Sequence, residues 1–94
     1  MPKKLTPSIL NLVPVREGKD AGDAYRDMVG LAQHVDGSDY ARYWVAEHHN
    51  TTSIASSATR QLIHHILQHT EHIRVGSGGV MLPNHSPLLV AEEF

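Results

Sequence analysis

Apolar positions along the chain come in short blocks, and the blocks alternate between two spacings. Ser8 to Val13 (SILNLV) is a compact, mostly apolar run between Pro7 and Pro14, which is the form of a buried strand. Pro14 limits its continuation, and Val15 to Asp20 is polar with one glycine, so it reads as a loop. Asp20 or Asp23 can cap a helix that reaches about Val35. Ala24, Met28, Leu31, Ala32 and Val35 follow at spacings of three and four, which puts them on one helical stripe. Gly37 suits the left-handed residue that ends a helix. Arg42 to Ala46 (RYWVA) is aromatic and β-branched, a second strand, and Glu47 to Ser53 is a polar loop. Ser56 or Ser57 can cap a second helix over about Ala58 to His69, with Leu62, Ile63, Ile66 and Leu67 as its buried stripe. Ile73 to Val75 is a third short strand and Ser77 to Ser86 a loop. Pro87 can occupy the first turn of a third helix, Leu88 to Phe94, because an N–H there has no helical partner to lose.

The order β-α-β-α-β-α predicts an α/β fold with a parallel sheet and right-handed crossovers. A (β/α)8 barrel takes about 250 residues for eight units, so three units take roughly 94. The chain has 94 residues, so it is expected to be the first three βα units of a truncated barrel of the TIM type, residues 1–94 forming part of one domain. A sheet of only three strands would keep two open edges and favour association into a homo-oligomer.

Composition narrows the function classes. The formal net charge is -2 and the basic residues are scattered apart from Lys3-Lys4, so neither nucleic acid nor an anionic membrane is an expected partner. There is no cysteine, hence no disulfide and no thiolate chemistry. No signal-peptide pattern and no apolar run near the roughly 20 residues of a bilayer span is present, so the expectation is a soluble, cytoplasmic protein.

Two segments concentrate candidate chemistry. Glu47-His48-His49-Asn50 directly follows the second strand, where a barrel carries its active site. Histidine there can act as a base near neutral pH or donate to a substrate oxygen or ring nitrogen; solvent-exposed loop histidines are the competing reading. Adjacent histidines point apart and no further ligand spacing accompanies them, so no metal is expected. Gly76-Ser77-Gly78-Gly79 follows the third strand, and its lack of side chains lets a flat ring approach the backbone, although a plain flexible turn has the same composition. It matches neither the dinucleotide fingerprint nor the P-loop. His64, His65, His69 and His72 make a histidine-dense patch. Without the glutamate of H-E-x-x-H, it reads as a polar helix face. Trp44 reads as core or barrel wall rather than a stacking platform, since no basic groove accompanies it.

Arg42 to Asn50, Ile54 to Ala58, Ile73 to Pro87 and Val90 to Phe94 together resemble the bacterial luciferase-like flavin-dependent monooxygenases, closest to the alkanal monooxygenase-like subgroup. The resemblance covers nearly the whole chain. It implies a (β/α)8 barrel that uses reduced FMN and oxygen to oxidise a small organic substrate, with a separate flavin reductase supplying the cofactor. A deazaflavin stays open as an alternative. It also implies that His48 and Glu47 are catalytic, that Ser77, Gly78, Gly79 and His48 bind the cofactor, and that Gly78-Gly79 forms a cis peptide beneath the flavin ring. Thr59-Arg60 departs from the Pro-Glu that relatives often carry at that helix start. The family's phosphate-binding strands come later than Phe94, so these residues would form one wall of the pocket. The alternative to a working monooxygenase segment is an inactive barrel fragment that self-associates or pairs with a complementary chain.

Overall fold

Three parallel strands lie side by side in chain order in the computed structural model, which describes residues 3–94. They are β1 (Ser8–Asn11), β2 (Arg42–Val45) and β3 (Arg74–Ser77). Helices α1 (Ala21–Val35) and α2 (Thr59–Gln68) make the two crossovers, and α3 (Pro87–Glu93) follows a 3₁₀ turn at Leu82–Asn84. The register aligns Ser8 with Arg42 and Arg74, and Asn11 with Val45 and Ser77. The α/β fold with a parallel sheet is the one expected from the alternation of runs.

Strand alternation divides the sheet into two unlike faces. Ile9, Tyr43, Val45 and Val75 face the helices and pack with Met28, Ala32, Val35, Leu62, Ile66 and Ile73. The other face carries Leu10, Trp44 and Gly76, and Leu10 stays 58% exposed. Gly76 has no side chain for a steric reason. A Cβ there would lie 2.9 Å from Cζ3 of Trp44, so the indole rests against the bare backbone of β3.

Several boundaries differ from the sequence expectation. β1 ends at Asn11, not Val13. The Asn11 side chain accepts the N–H of Val13 at 2.8 Å and donates to the hydroxyl of Tyr43 at 2.6 Å, which turns the chain out of the strand. Val13 then takes φ +53°, a conformation that costs a β-branched residue on the order of 1–3 kcal/mol. Burial of its side chain and an N–H from Ala55 to its carbonyl at 2.9 Å hold it there. β2 stops one residue early, at Val45, and β3 is shifted to Arg74–Ser77. Neither Ser56 nor Ser57 caps α2; the cap position is Ala58, with no side-chain hydrogen bond. Ser56 is buried and donates its hydroxyl to the carbonyl of Leu12 at 3.1 Å.

α1 keeps its expected limits because Asp20 and Asp23 form a reciprocal capping box and Gly37 takes φ +78° just past the end. Of its stripe, Leu31 is the one member left exposed. On α2, Leu62 and Ile66 are buried, Ile63 is half-buried and Leu67 is exposed, so the buried stripe is narrower than its apolar content. At the opposite end of the sheet, Asp36 accepts the backbone N–H groups of Glu71, His72 and Ile73 at 2.7, 2.8 and 2.9 Å, tying the entry to β3 to the end of α1. Arg60 and Glu93 pair between α2 and α3. Among the described residues no helix is long and apolar enough to cross a membrane.

Candidate functional site

The C-terminal ends of β1, β2 and β3 share one rim of the sheet, and the loops that leave them are laced together. Val15 donates its N–H to Ser53 at 2.8 Å, and Pro14 and Ile54 form an antiparallel bridge. His48 donates its N–H to the carbonyl of Ser56 at 3.0 Å. The loop after β3 joins the same rim through Gly78, whose N–H donates to the carbonyl of Val45 at 2.8 Å. The glycine pair therefore lies beside the point where β2 becomes Glu47-His48-His49.

Gly78 and Gly79 are joined by a cis peptide bond. Their surroundings differ. A Cβ on Gly78 would lie 3.1 Å from Cβ of Trp44 and 3.6 Å from Cδ1 of Leu10, whereas one on Gly79 would meet open space. Gly78 is thus packed on the exposed face of the sheet and Gly79 leaves room for a flat group. Ser77 shares its register with Val45, which faces the helices; its hydroxyl is buried and without a hydrogen-bond partner among the described residues. Ser77 can meet a ligand over Gly79 through its backbone, not its hydroxyl.

Glu47 is the one buried acidic residue of this rim, with a side chain only 3% exposed. Oε2 lies 2.6 Å from Nε2 of His49 and 2.8 Å from Nε2 of His85, and Oε1 accepts the N–H of Met81 at 3.3 Å. Burial pushes the carboxyl up, but the hydrogen bonds from His49, His85 and Met81 outweigh it and hold Glu47 below its ordinary value. The group is therefore a carboxylate at neutral pH, fixed between the loops after β2 and β3.

His48 behaves differently from its neighbour. It is exposed, and its ring makes no hydrogen bond to the described residues. His49 is bonded to Glu47, whereas the His48 side chain is exposed. His85 carried no sequence signal. It stands between Pro83 and Pro87 in a loop, and its partner lies 38 residues earlier. The histidine-dense patch on α2 brings the rings of His65 and His69 to 4.6 Å, edge to face, with His69 Nδ1 hydrogen-bonded to the carbonyl of His65 at 2.8 Å. It is remote in sequence and in element from the rim.

The profile of the family described as luciferase-like monooxygenase matches residues 8–94. A luciferase-like monooxygenase of Escherichia coli K12 is 49% identical over 98% of this chain and 28% of its own length. The protein YddN of Bacillus subtilis is 51% identical over 98% of this chain and 27% of its own. The solved structure of apo-MsnO8 superposes with a TM-score of 0.90 at 42% identity, covering 97% of this chain and 28% of that one. The chain thus spans about a quarter of the length of these relatives.

Proposed function

The chain belongs to the luciferase-like monooxygenase family, and from that premise we propose that it supplies one wall of a flavin site in a (β/α)8 monooxygenase that uses reduced FMN and oxygen to oxidise a small organic substrate. The observation that carries the reading is the open space over Gly79 beside the Glu47-His48-His49 turn, at the strand ends where α/β barrels hold their chemistry. The residues present fit a flat cofactor: a ring over Gly79 meets peptide and no Cβ, with Trp44 and Leu10 closing the face beneath Gly78.

When bound, the reduced flavin supplies the electrons for oxygen activation. The backbone of Ser77, Gly78 and Gly79 supports the ring. His48 is exposed and its ring makes no hydrogen bond to the described residues, so it would donate a hydrogen bond to the ligand or act as its acid–base partner. Glu47, locked by His49, His85 and Met81, acts as a positioning residue that fixes the turn carrying His48. A separate reductase supplies the reduced flavin, and a deazaflavin would meet the same open face.

His48→Ala tests the assignment in the protein as expressed. Turnover should fall about 100-fold or more, the scale of a lost general acid–base group, while FMN affinity changes only a few-fold. Unchanged turnover, or turnover and flavin affinity lost in equal measure, would sink the role given to His48.

A second reading concerns the 94-residue polypeptide alone. Leu10 at 58% exposure and the unpaired edges of β1 and β3 favour association of copies through the uncovered face. Sedimentation should then give a mass well above the 10.4 kDa of one chain; a monodisperse monomer contradicts this reading.

A further inference from the structure

We propose that Glu47, His49 and His85 form a binding site for one divalent transition-metal ion of the zinc type. Their ligand atoms (one carboxylate oxygen and two imidazole nitrogens) all lie within 4.8 Å of one another. Two histidines and one carboxylate are a donor set that binds zinc and its first-row neighbours and leaves coordination positions open. The carboxylate is buried, charged and already oriented by the N–H of Met81 on Oε1, as a metal ligand is oriented by its outer shell.

The geometry needs only a small opening. Metal–ligand bonds of about 2.0–2.1 Å place neighbouring ligand atoms roughly 3 Å or more apart. Oε2 now lies 2.6 and 2.8 Å from the two nitrogens. Both histidines belong to loops outside the strands; the side chain of His49 is 38% exposed and that of His85 18%, so the opening falls mainly to His49. Beside Glu47 and His85, but not His49, is a cavity of about 30 Å³ whose lining also includes Thr59 and Arg60, large enough for a water-sized ligand. Thr59 is buried and its hydroxyl has no hydrogen-bond partner among the described residues. The site closes the loop after β2 onto the loop after β3 and needs no flavin; a bound ion would replace the hydrogen bonds from His49 and His85 to Glu47 as the tie that fixes the turn carrying His48.

The test is calorimetric titration of the chelator-treated protein with Zn²⁺, repeated with Co²⁺ while its visible absorption is read. One ion per chain should bind, with a Co²⁺ spectrum of nitrogen and oxygen ligands. His85→Ala and His49→Ala should each weaken binding at least tenfold. A His65→Ala/His69→Ala double variant, which removes the exposed pair on α2, should bind as the wild type does. His49 is the more exposed ligand, so its variant keeps the test valid if His85→Ala fails to fold. No saturable binding, or binding kept in His49→Ala and lost in the α2 double variant, overturns the proposal and leaves Glu47 as a carboxylate held by two imidazole N–H groups.

Discussion

Gly76 and Gly30 show how the same residue type answers to different physics. At Gly76 the ring of Trp44 occupies the place of a side chain, so Gly76→Ala should cost about 1–3 kcal/mol in urea unfolding, the usual scale of an overpacked site. Gly30 lies in α1 with open space around it. Gly30→Ala should stabilise by roughly 0.5–1 kcal/mol, because alanine loses less backbone freedom in a helix. A stabilising Gly76→Ala would contradict the packing of Trp44 on β3. The sequence made Glu47 and His48 visible, since adjacent polar groups after an apolar strand are hard to explain as packing, whereas the glycine pair stood out by the family resemblance, its composition fitting a plain turn as well. It did not reveal His85, which reaches Glu47 only after two βα units have closed. Nor did it separate the inward glycine from the open one, because that difference lies in which neighbour each Cα faces.

Among the elements, α1 was legible in its ends and its cap, whereas α2 was legible in extent, to within a residue at each end, but not in its cap. The capping box of α1 is local, with both partners within four residues, whereas Ser56 leaves the start of α2 to bond Leu12 across 44 residues. The end of β1 had a signal in Asn11, the one polar residue inside an apolar run, whose side chain competes with the strand for the backbone. Asp36 went unnoticed although it ties α1 to β3. Its carboxylate takes three backbone N–H groups, and these hold its pKa below the ordinary value of 3.8. Asp23, bonded by the Asp20 N–H and by Arg26, is drawn down to about 2. A depressed carboxyl contributes stability that is complete above the unfolded pKa and fades as pH falls through the folded one. The contribution of these carboxylates should therefore be lost as pH falls below about 4.5, the ordinary value for Glu47, and the midpoint of unfolding should drop there. Asp36→Asn should flatten part of that fall and lower the urea midpoint at pH 7. A midpoint indifferent to Asp36→Asn would deny the tie between α1 and β3.

At the scale of the molecule, the sheet buries one face and leaves the other open. The buried side is a working core: Met28 is fully buried against Tyr43, so Met28→Ala should cost about 2–5 kcal/mol, read by denaturant unfolding. The parallel order of strands was legible because strand and helix patterns alternate, and a parallel pair needs a crossover between its members. The role of the open face was not legible from periodicity, since Leu10 and Trp44 read as ordinary strand residues until their register was known. That face, with the glycine pair at its rim, is where the account places the flavin. The direct test is anaerobic titration of the protein with reduced FMN, comparing wild type with Gly79→Val, which puts a side chain into the open space. Binding should be saturable and should weaken at least tenfold in Gly79→Val while the thermal midpoint stays within a few degrees. Equal affinity in the two proteins, or no binding by either, would contradict it.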